Sequence, residues 1–480
     1  MKAFITLIIL FIHTSLSAQQ QALSSIMENF MNDSCIKNAP VSIYASNIQT
    51  GEALVDINGR LCITPASVIK LVTTATALEV LGSDFRFSTT LWHTGTILGD
   101  TLYGDIVITG GGDPTLGSQY FNNKQQNFLD IWAEAIKEAG ILHIQGNIVA
   151  DPYIYPDQDV PQSWVWEDLG NYYGAAAQGI NLYDNTFRVF FNTSPLNGGK
   201  TEVIRTEPLI PGLEIDNYVK ASTDMRDRAF VYGSPFDSYR VIRGTLPRGR
   251  HSFSIRASIP DPASLLSYEL MKTLNSKLIS INGSFFKQKL STETVPEQII
   301  HVHQSPELNE IIKQLNYESV NLFAEQLCKH LGLVLKNEGS TKSGTEVISE
   351  FWEAKGIESG NMFLADGSGL SRYNVINSET LNRILAYMQN QSEHARHFIE
   401  SVPLTGINGT QQYYFQSSNI KGKARAKTGS MTRVRSLAGY METQNGTPVS
   451  FSIITNNFNC GSFVMAAKLE KILEAIYTDF

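Results

Sequence analysis

Ser67 and Lys70 stand three residues apart in the stretch Thr64-Pro65-Ala66-Ser67-Val68-Ile69-Lys70-Leu71-Val72. On a helix this spacing places both side chains on one face, within reach of each other. A serine hydroxyl is a poor nucleophile until a base takes its proton. A lysine can be that base when burial or nearby cations lower its pKa. Ser67 is therefore the candidate nucleophile and Lys70 its proton partner. Free backbone N–H groups at a helix start would hold the oxyanion that attack on a carbonyl creates.

The surrounding residues predict the helix this chemistry needs. Pro65 suits a first turn, where its missing N–H costs nothing. Ile69, Leu71, Val72, Ala75 and Leu78 follow at spacings a buried helix can use, and Gly82 is a natural stop. A lone Ser-x-x-Lys says little, because solvated surface pairs share the pattern. It recurs at Ser284/Lys287 and Ser418/Lys421, without a helix start around either copy.

Two further motifs sharpen the signal. Ser319-Val320-Asn321 lies at a predicted helix start, and Lys427-Thr428-Gly429 precedes two predicted strands. Ser319 can relay a proton towards a leaving amine. Asn321 can hold Lys70 and a substrate amide. Lys427 supplies positive charge, either to lower the Lys70 pKa or to attract a carboxylate. Thr428 can hydrogen-bond that carboxylate, and Gly429 leaves room along the strand. The backbone N–H groups of Ser67 and Ser430 would form an oxyanion hole. Ser417-Ser418-Asn419 and Lys342-Ser343-Gly344 are rival copies, the first in a polar loop and the second at a helix start.

Composition narrows the class of protein. The 480 residues suggest roughly three domains of about 150 each. A hydrophobic share of 42% and 43 Phe and Tyr residues allow sizeable cores. The net charge is −8 and no basic stripe stands out, which argues against nucleic acid. No Cys/His spacing resembles a metal site, and neither a metal nor another cofactor is expected. His301 and His303 come nearest to ligand-like spacing. The glycines of Gly110-Gly111-Gly112-Asp113-Pro114 read as a turn, since no Gly-Lys-[Ser/Thr] follows. Cys35, Cys62, Cys328 and Cys460 allow three complete pairings, and free buried thiols compete with disulfides. Residues 1–18 read as a signal peptide: Lys2, an apolar run from Phe4 to Ile12, then small residues up to Ala18. No later apolar run is long enough to span a bilayer, so an exported protein without a transmembrane anchor is expected.

Along the chain, Leu23–Met31 reads as a helix. Val41–Tyr44 and Glu52–Ile57 form a predicted hairpin around Gln49-Thr50-Gly51. Residues 86–300 are dominated by short strand-like runs, with helices predicted at Asn127–Ala139 and Pro262–Leu278. Further helices are expected at Ser305–Leu315, Asn321–Leu331, Thr345–Lys355 and Ser378–Gln389. Ser436–Met441 and Val449–Ile454 flank an Asn445-Gly446 turn. Phe463, Ala466, Ala467, Leu469, Ile472, Leu473 and Ile476 make the last helix amphipathic. Its few basic residues favour core packing over lying on a membrane.

With its motifs in the order Ser-x-x-Lys, Ser-x-Asn, Lys-Thr-Gly, the chain resembles the class C low-molecular-mass penicillin-binding proteins, the D-alanyl-D-alanine carboxypeptidase/endopeptidase group. The resemblance spans nearly all of the mature chain. It also rests on Gly111–Leu116, on Trp164–Leu169 with Tyr172-Tyr173-Gly174, on Asp366–Arg372 and on Gly406–Thr410. The 252 positions between Ser67 and Ser319 fit a long insertion.

The resemblance implies a multi-domain α/β protein: a split penicillin-binding/β-lactamase-like transpeptidase domain (residues 19–85 and 301–480) with β-rich domains inserted at 86–300. It implies peptidoglycan peptides ending in D-Ala-D-Ala as substrates, β-lactam antibiotics as ligands, and a periplasmic location. In that family an Asp and an Arg matching Asp168 and Arg372, with Tyr173 nearby, help recognise the diaminopimelate side chain; the competing role for such an ion pair is structural. Asp366, in a glycine-rich turn, reads as structural. Val320 departs from the family's usual Asp, and Leu404-Thr405-Gly406 matches only loosely. Two alternatives share the scaffold: a serine β-lactamase and a non-catalytic muropeptide sensor.

Overall fold

The computed structural model describes residues 23–121, 125, 127–156, 160–290 and 298–480. The predicted signal peptide lies outside the described residues. The chain divides into two compact units. The first takes in the chain up to Ser83, then Ile312–Ser319 and Ile348–Phe480; the second holds Asp84–Ile311 and Val320–Val347.

The first unit is built on one antiparallel sheet. Its strands are β1 (Val41–Asn47), β2 (Ala53–Ile57), β3 (Ala424–Met431), β4 (Val434–Glu442) and β5 (Pro448–Asn456). Their order is β2-β1-β5-β4-β3, which leaves β3 on an edge. Register is set by pairs such as Ile43 with Ile453 and Lys427 with Ala438. β4 and β5 are buried on both faces, so they read as continuous runs rather than alternating ones.

One face of the sheet packs on the helical residues 23–32 and on the helix Ser462–Asp479. The buried side chains of this last helix are Met465, Ala466, Leu469, Ile472, Leu473, Ala475 and Ile476. Phe463 and Ala467, expected on the apolar face, point outward instead. Phe463 precedes the first turn that reaches the sheet. The other face carries a helix from Ser378 to Asn390, whose Asn382 donates to the Ser450 carbonyl at 2.7 Å. Asn377 caps that helix by accepting from Thr380 N.

Cys35 and Cys460 form a disulfide within this unit, while Cys62 is an exposed free thiol and Cys328 a buried one. Spacing alone could not choose this pair. The two residues are 425 apart in sequence and meet only because the first and last helices share a core.

The second unit holds several smaller sheets. A five-stranded sheet runs 285–287, 148–151, 106–109, 88–93, 298–304, and a three-stranded one runs 201–207, 186–193, 253–258. A third sheet gathers around the long strand Tyr239–Pro247. Helices Phe128–Glu138 and Pro262–Ser276 supply Phe128, Trp132, Leu266 and Leu270 to one continuous core. His303 packs against Phe128 and Trp132 in that core, with the His301 ring also beside it. A helix from Asn321 to Lys336 also belongs to this unit.

Candidate active site

Ser67 does not sit on an α-helix. Ala66–Ile69 form a 3₁₀ turn, and the α-helix runs from Lys70 to Leu81. The expected pairing survives because side chains at i and i+3 eclipse in a 3₁₀ turn. Lys70 Nζ donates to Ser67 Oγ at 3.0 Å. The turn is held in an unusual shape, with Ala66 at φ 50°, a left-handed conformation that a residue with a Cβ seldom adopts.

Neighbouring segments hold the turn there. Ser436 Oγ donates to the Pro65 carbonyl at 2.5 Å. A Cβ on Gly429 would lie 2.6 Å from Pro65 O and 3.0 Å from Ser67 N, so only glycine lets β3 come this close. Gly369 presses on the Ala66 carbonyl from another side, at φ 81°.

Lys70 is fully buried and also donates to the Ser368 carbonyl at 2.5 Å. Asp366 organises the loop carrying that carbonyl. Its Oδ1 accepts from Gly369 N and Asn374 Nδ2, both at 2.7 Å, and its Oδ2 accepts from Ser371 N at 2.5 Å. This is the structural role expected of Asp366. Thr73 Oγ1 donates to the Gly367 carbonyl at 2.7 Å, tying the same loop to the helix.

A second serine–lysine pair repeats the theme. Lys427, on β3, donates to Ser319 Oγ at 2.8 Å and to its neighbour's carbonyl, Thr428 O, at 2.9 Å. Ser319 follows the helix Leu308–Glu318 at φ 58°, the second left-handed non-glycine residue beside these lysines. Burial pushes the Lys427 pKa well below its ordinary value; the positive charges of Lys70 and Arg435 add to this and Glu318 opposes it. The positive charge expected of Lys427 is thus opposed by the loss of its water and by two like charges, and supported by Glu318.

The outer edge of β3 changes character along its length. At Ala426 the edge is occupied: its N–H donates to Pro403 O at 2.8 Å and its carbonyl accepts from Gln411 Nε2 at 2.7 Å. Strand groups repeat with period two, so the backbone amides of Thr428 and Ser430 turn the same way. Thr428 Oγ1 lies 3.0 Å from Thr410 Oγ1. Ser430 is exposed.

The second unit carries the other residues singled out from sequence. Asn321, at the start of its helix, donates Nδ2 to the Tyr173 carbonyl at 2.7 Å. The Tyr173 hydroxyl is hydrogen-bonded to Asp168, and burial together with that carboxylate raises its pKa well above the ordinary tyrosine value. Arg372 lies in the first unit, on the loop that Asp366 organises, where its carbonyl accepts from Thr64 Oγ1 at 3.3 Å.

The first unit thus gathers Ser67, Lys70, Ser319, Lys427, Thr428, Gly429 and Ser430, and the second gathers Asp168, Tyr173 and Asn321. The rival motifs are occupied elsewhere. Lys342-Ser343-Gly344 lies inside a helix, Lys287 pairs with Asp261 at 3.3 Å, and Lys421 donates to Gln416. Ser368, Thr410 and Ser436 were not singled out. Ser368 acts through its carbonyl, which every residue possesses, so no side-chain signal could mark it.

A five-stranded sheet whose Lys-Thr-Gly edge strand closes on a Ser-x-x-Lys turn is the architecture of the penicillin-binding proteins. Penicillin-binding protein 4 (DacB) of Haemophilus influenzae superposes with a TM-score of 0.80, covering 95% of this chain and 99% of that one at 23% identity. The chain belongs to the D-Ala-D-Ala carboxypeptidase 3 (S13) family, whose model matches residues 22–475. It is therefore a hydrolase of the serine peptidase type. The D-alanyl-D-alanine carboxypeptidase DacB of H. influenzae is 26% identical over 438 residues, 90% of this chain and 89% of the relative. A D-alanyl-D-alanine carboxypeptidase of Actinomadura sp. is 25% identical over 443 residues, 90% of this chain and 80% of the relative. Among the described residues no helix is long and apolar enough to cross a membrane.

Proposed function

We propose that Ser67 is the nucleophile of a DD-peptidase that forms an acyl-enzyme on peptidoglycan stem peptides. Lys70, once neutral, takes the Ser67 proton as Oγ attacks the carbonyl of the penultimate D-alanine. The oxyanion sits between the N–H groups of Ser67 and Ser430. The peptide lies along the open part of the β3 edge, from Thr428 to Ser430. Thr428 binds the terminal carboxylate.

The leaving amine of the last D-alanine receives through Ser319 the proton that Lys70 took from Ser67, so that the C–N bond breaks and Lys70 is neutral again; Lys427, donating to Ser319, orients that relay. Water then attacks the ester, with Lys70 taking its proton and returning it to Ser67 Oγ as the acyl group leaves. The observation that carries this reading is the pair of contacts Lys70 Nζ–Ser67 Oγ at 3.0 Å and Lys427 Nζ–Ser319 Oγ at 2.8 Å.

Asp168, hydrogen-bonded to Tyr173, receives the cationic end of a diaminopimelate side chain. β-Lactams acylate the same serine; a structure of the H. influenzae relative is a complex with a β-lactam. Opening of peptide crosslinks belongs to the same chemistry, with a crosslinked peptide in place of the last D-alanine. The Cys35–Cys460 disulfide supports export to an oxidising compartment, the periplasm, after removal of residues 1–18.

The test is D-alanine release from a pentapeptide muropeptide, run beside covalent labelling by fluorescent penicillin. Wild type should do both and Ser67→Ala neither. Labelling that persists in Ser67→Ala would refute the assignment. Fast penicillin turnover without D-alanine release would favour the β-lactamase alternative, and peptide binding without release the sensor.

A further inference from the structure

One end of the second unit is unlike the rest of the chain. Three loops converge there: residues 194–200, 223–227 and 248–252. Backbone hydrogen bonds bind them into one surface. Gly249 N donates to Ser194 O at 2.9 Å, Arg248 N to Ser222 O at 2.9 Å, and Gly198 N to Ala221 O at 2.7 Å. Thr223 N donates to Asn197 Oδ1 at 3.2 Å.

Two large apolar side chains stand on the tips of these loops. Leu196 is 72% exposed and Met225 is 62% exposed. Around them lie six exposed basic residues: Lys200, Lys220, Arg226, Arg228, Arg248 and Arg250. The acidic residues on the same loops are Asp224 and Asp227. Asp224 is engaged by Arg226 at 2.9 Å and Arg228 at 2.6 Å. The end is thus strongly positive on a chain whose net charge is −8.

We propose that this end docks peripherally on an anionic lipid bilayer, with Leu196 and Met225 entering the headgroup layer and the surrounding bases facing lipid phosphates. Charge complementarity selects the partner. Basic side chains beside an anionic surface are attracted to it, and the attraction fades within a Debye length. A dissolved polyanion would engage the bases but leave Leu196 and Met225 in water. A soft interface accepts apolar side chains from convex loop tips, where no preformed groove is required. The inference is independent of the catalytic reading, since none of these residues belongs to the proposed site.

Vesicle flotation tests it. The mature protein, from residue 19 onward, is mixed with phosphatidylcholine vesicles containing phosphatidylglycerol, or with pure phosphatidylcholine vesicles, at low and at high salt. Wild type should float only with the anionic vesicles and be released by salt. Arg248→Glu with Arg250→Glu should weaken binding about tenfold or more. Leu196→Ser with Met225→Ser should weaken it about tenfold. Both double variants should keep wild-type penicillin labelling, which shows that they are folded. Failure of wild type to float, or equal flotation with neutral vesicles, would overturn the proposal. So would undiminished binding by Leu196→Ser/Met225→Ser that soluble polyphosphate competes away, since that outcome assigns the end to a dissolved polyanion.

Discussion

Asn316 donates its side-chain amide to Thr74 Oγ1 at 3.3 Å, and Thr74 donates in turn to the carbonyl of Lys70 at 2.7 Å. The same amide donates to Ser401 Oγ at 3.0 Å. Ser319 comes three residues after Asn316, so one fully buried amide ties the stem of the second serine to the helix bearing the first lysine. The carbonyl oxygen of Asn316 is buried without a hydrogen-bond partner among the described residues. Asn316→Leu keeps the branched outline and removes that orphan but adds volume at a fully buried position, so stability should fall by no more than about 1–3 kcal/mol. Turnover should nevertheless fall about tenfold, because the position of Ser319 is no longer locked. Urea unfolding and steady-state D-alanine release, measured on the same preparation, separate the two effects.

Gly429 makes a different prediction. Its hypothetical Cβ at 2.6 Å from Pro65 O and 3.0 Å from Ser67 N cannot be housed without moving β3 away from the turn. A shift of that size at a reacting centre costs on the order of 100-fold in rate. Gly429→Ala should fold and yet be acylated by penicillin about 100 times more slowly, read from the second-order labelling rate.

The depressed pKa of Lys427 links stability to pH. Between its folded-state value and the ordinary 10.5, the unfolded chain binds a proton that the folded chain does not. Stability of the wild type relative to Lys427→Met should therefore rise as pH climbs through that window and level off above it. Unfolding midpoints from pH 7 to 10.5 for both proteins test the sign. A gap that stays constant over the range would contradict the depressed pKa of Lys427.

Removing the disulfide should cost stability without disabling the chemistry. The Cys35–Cys460 bond joins residues 425 apart, and a closed loop of that length restricts the unfolded chain strongly. Replacing both cysteines by serine should lower stability by about 3–5 kcal/mol. Penicillin labelling at low temperature should persist, since neither cysteine is among the residues gathered around Ser67. Thermal melts with and without reductant provide the measurement.

Asp168 tests substrate recognition separately from bond breaking. Asp168→Asn removes the charge that the proposed cationic side chain would meet. It should reduce kcat/KM about tenfold for peptides carrying a free diaminopimelate amine. Peptides with that amine acetylated should show little change, and so should penicillin labelling.

The local part of this site was legible from the residues alone. A three-residue spacing brings Ser67 and Lys70 together whether the turn is α or 3₁₀, because both geometries return to the same face in about three residues. The hairpin of β4 and β5 was legible for a similar reason, with Asn445-Gly446 between two apolar runs. Helix starts and stops were recovered within a few residues, since caps and breakers act on their own neighbourhood. The long strand Tyr239–Pro247 was missed although its partners, 214–217, 220–222 and 228–232, directly precede it; Arg240, Arg243 and Gly244 interrupt the apolar run that marks a strand.

What the amino-acid order determined by itself was the set of motifs, their sequence and the chemistry each side chain can perform. Tertiary structure alone decided which copies matter: Lys427 reaches Ser319, whereas Lys287 is spent on Asp261. It alone chose Cys460 for Cys35, and it alone placed Ala66 and Ser319 in left-handed conformations. The physical reason is the range of the forces involved. Backbone geometry acts over a few residues and can be read from them. Burial, backbone strain and the depressed pKa of a lysine arise only when segments hundreds of residues apart are packed together.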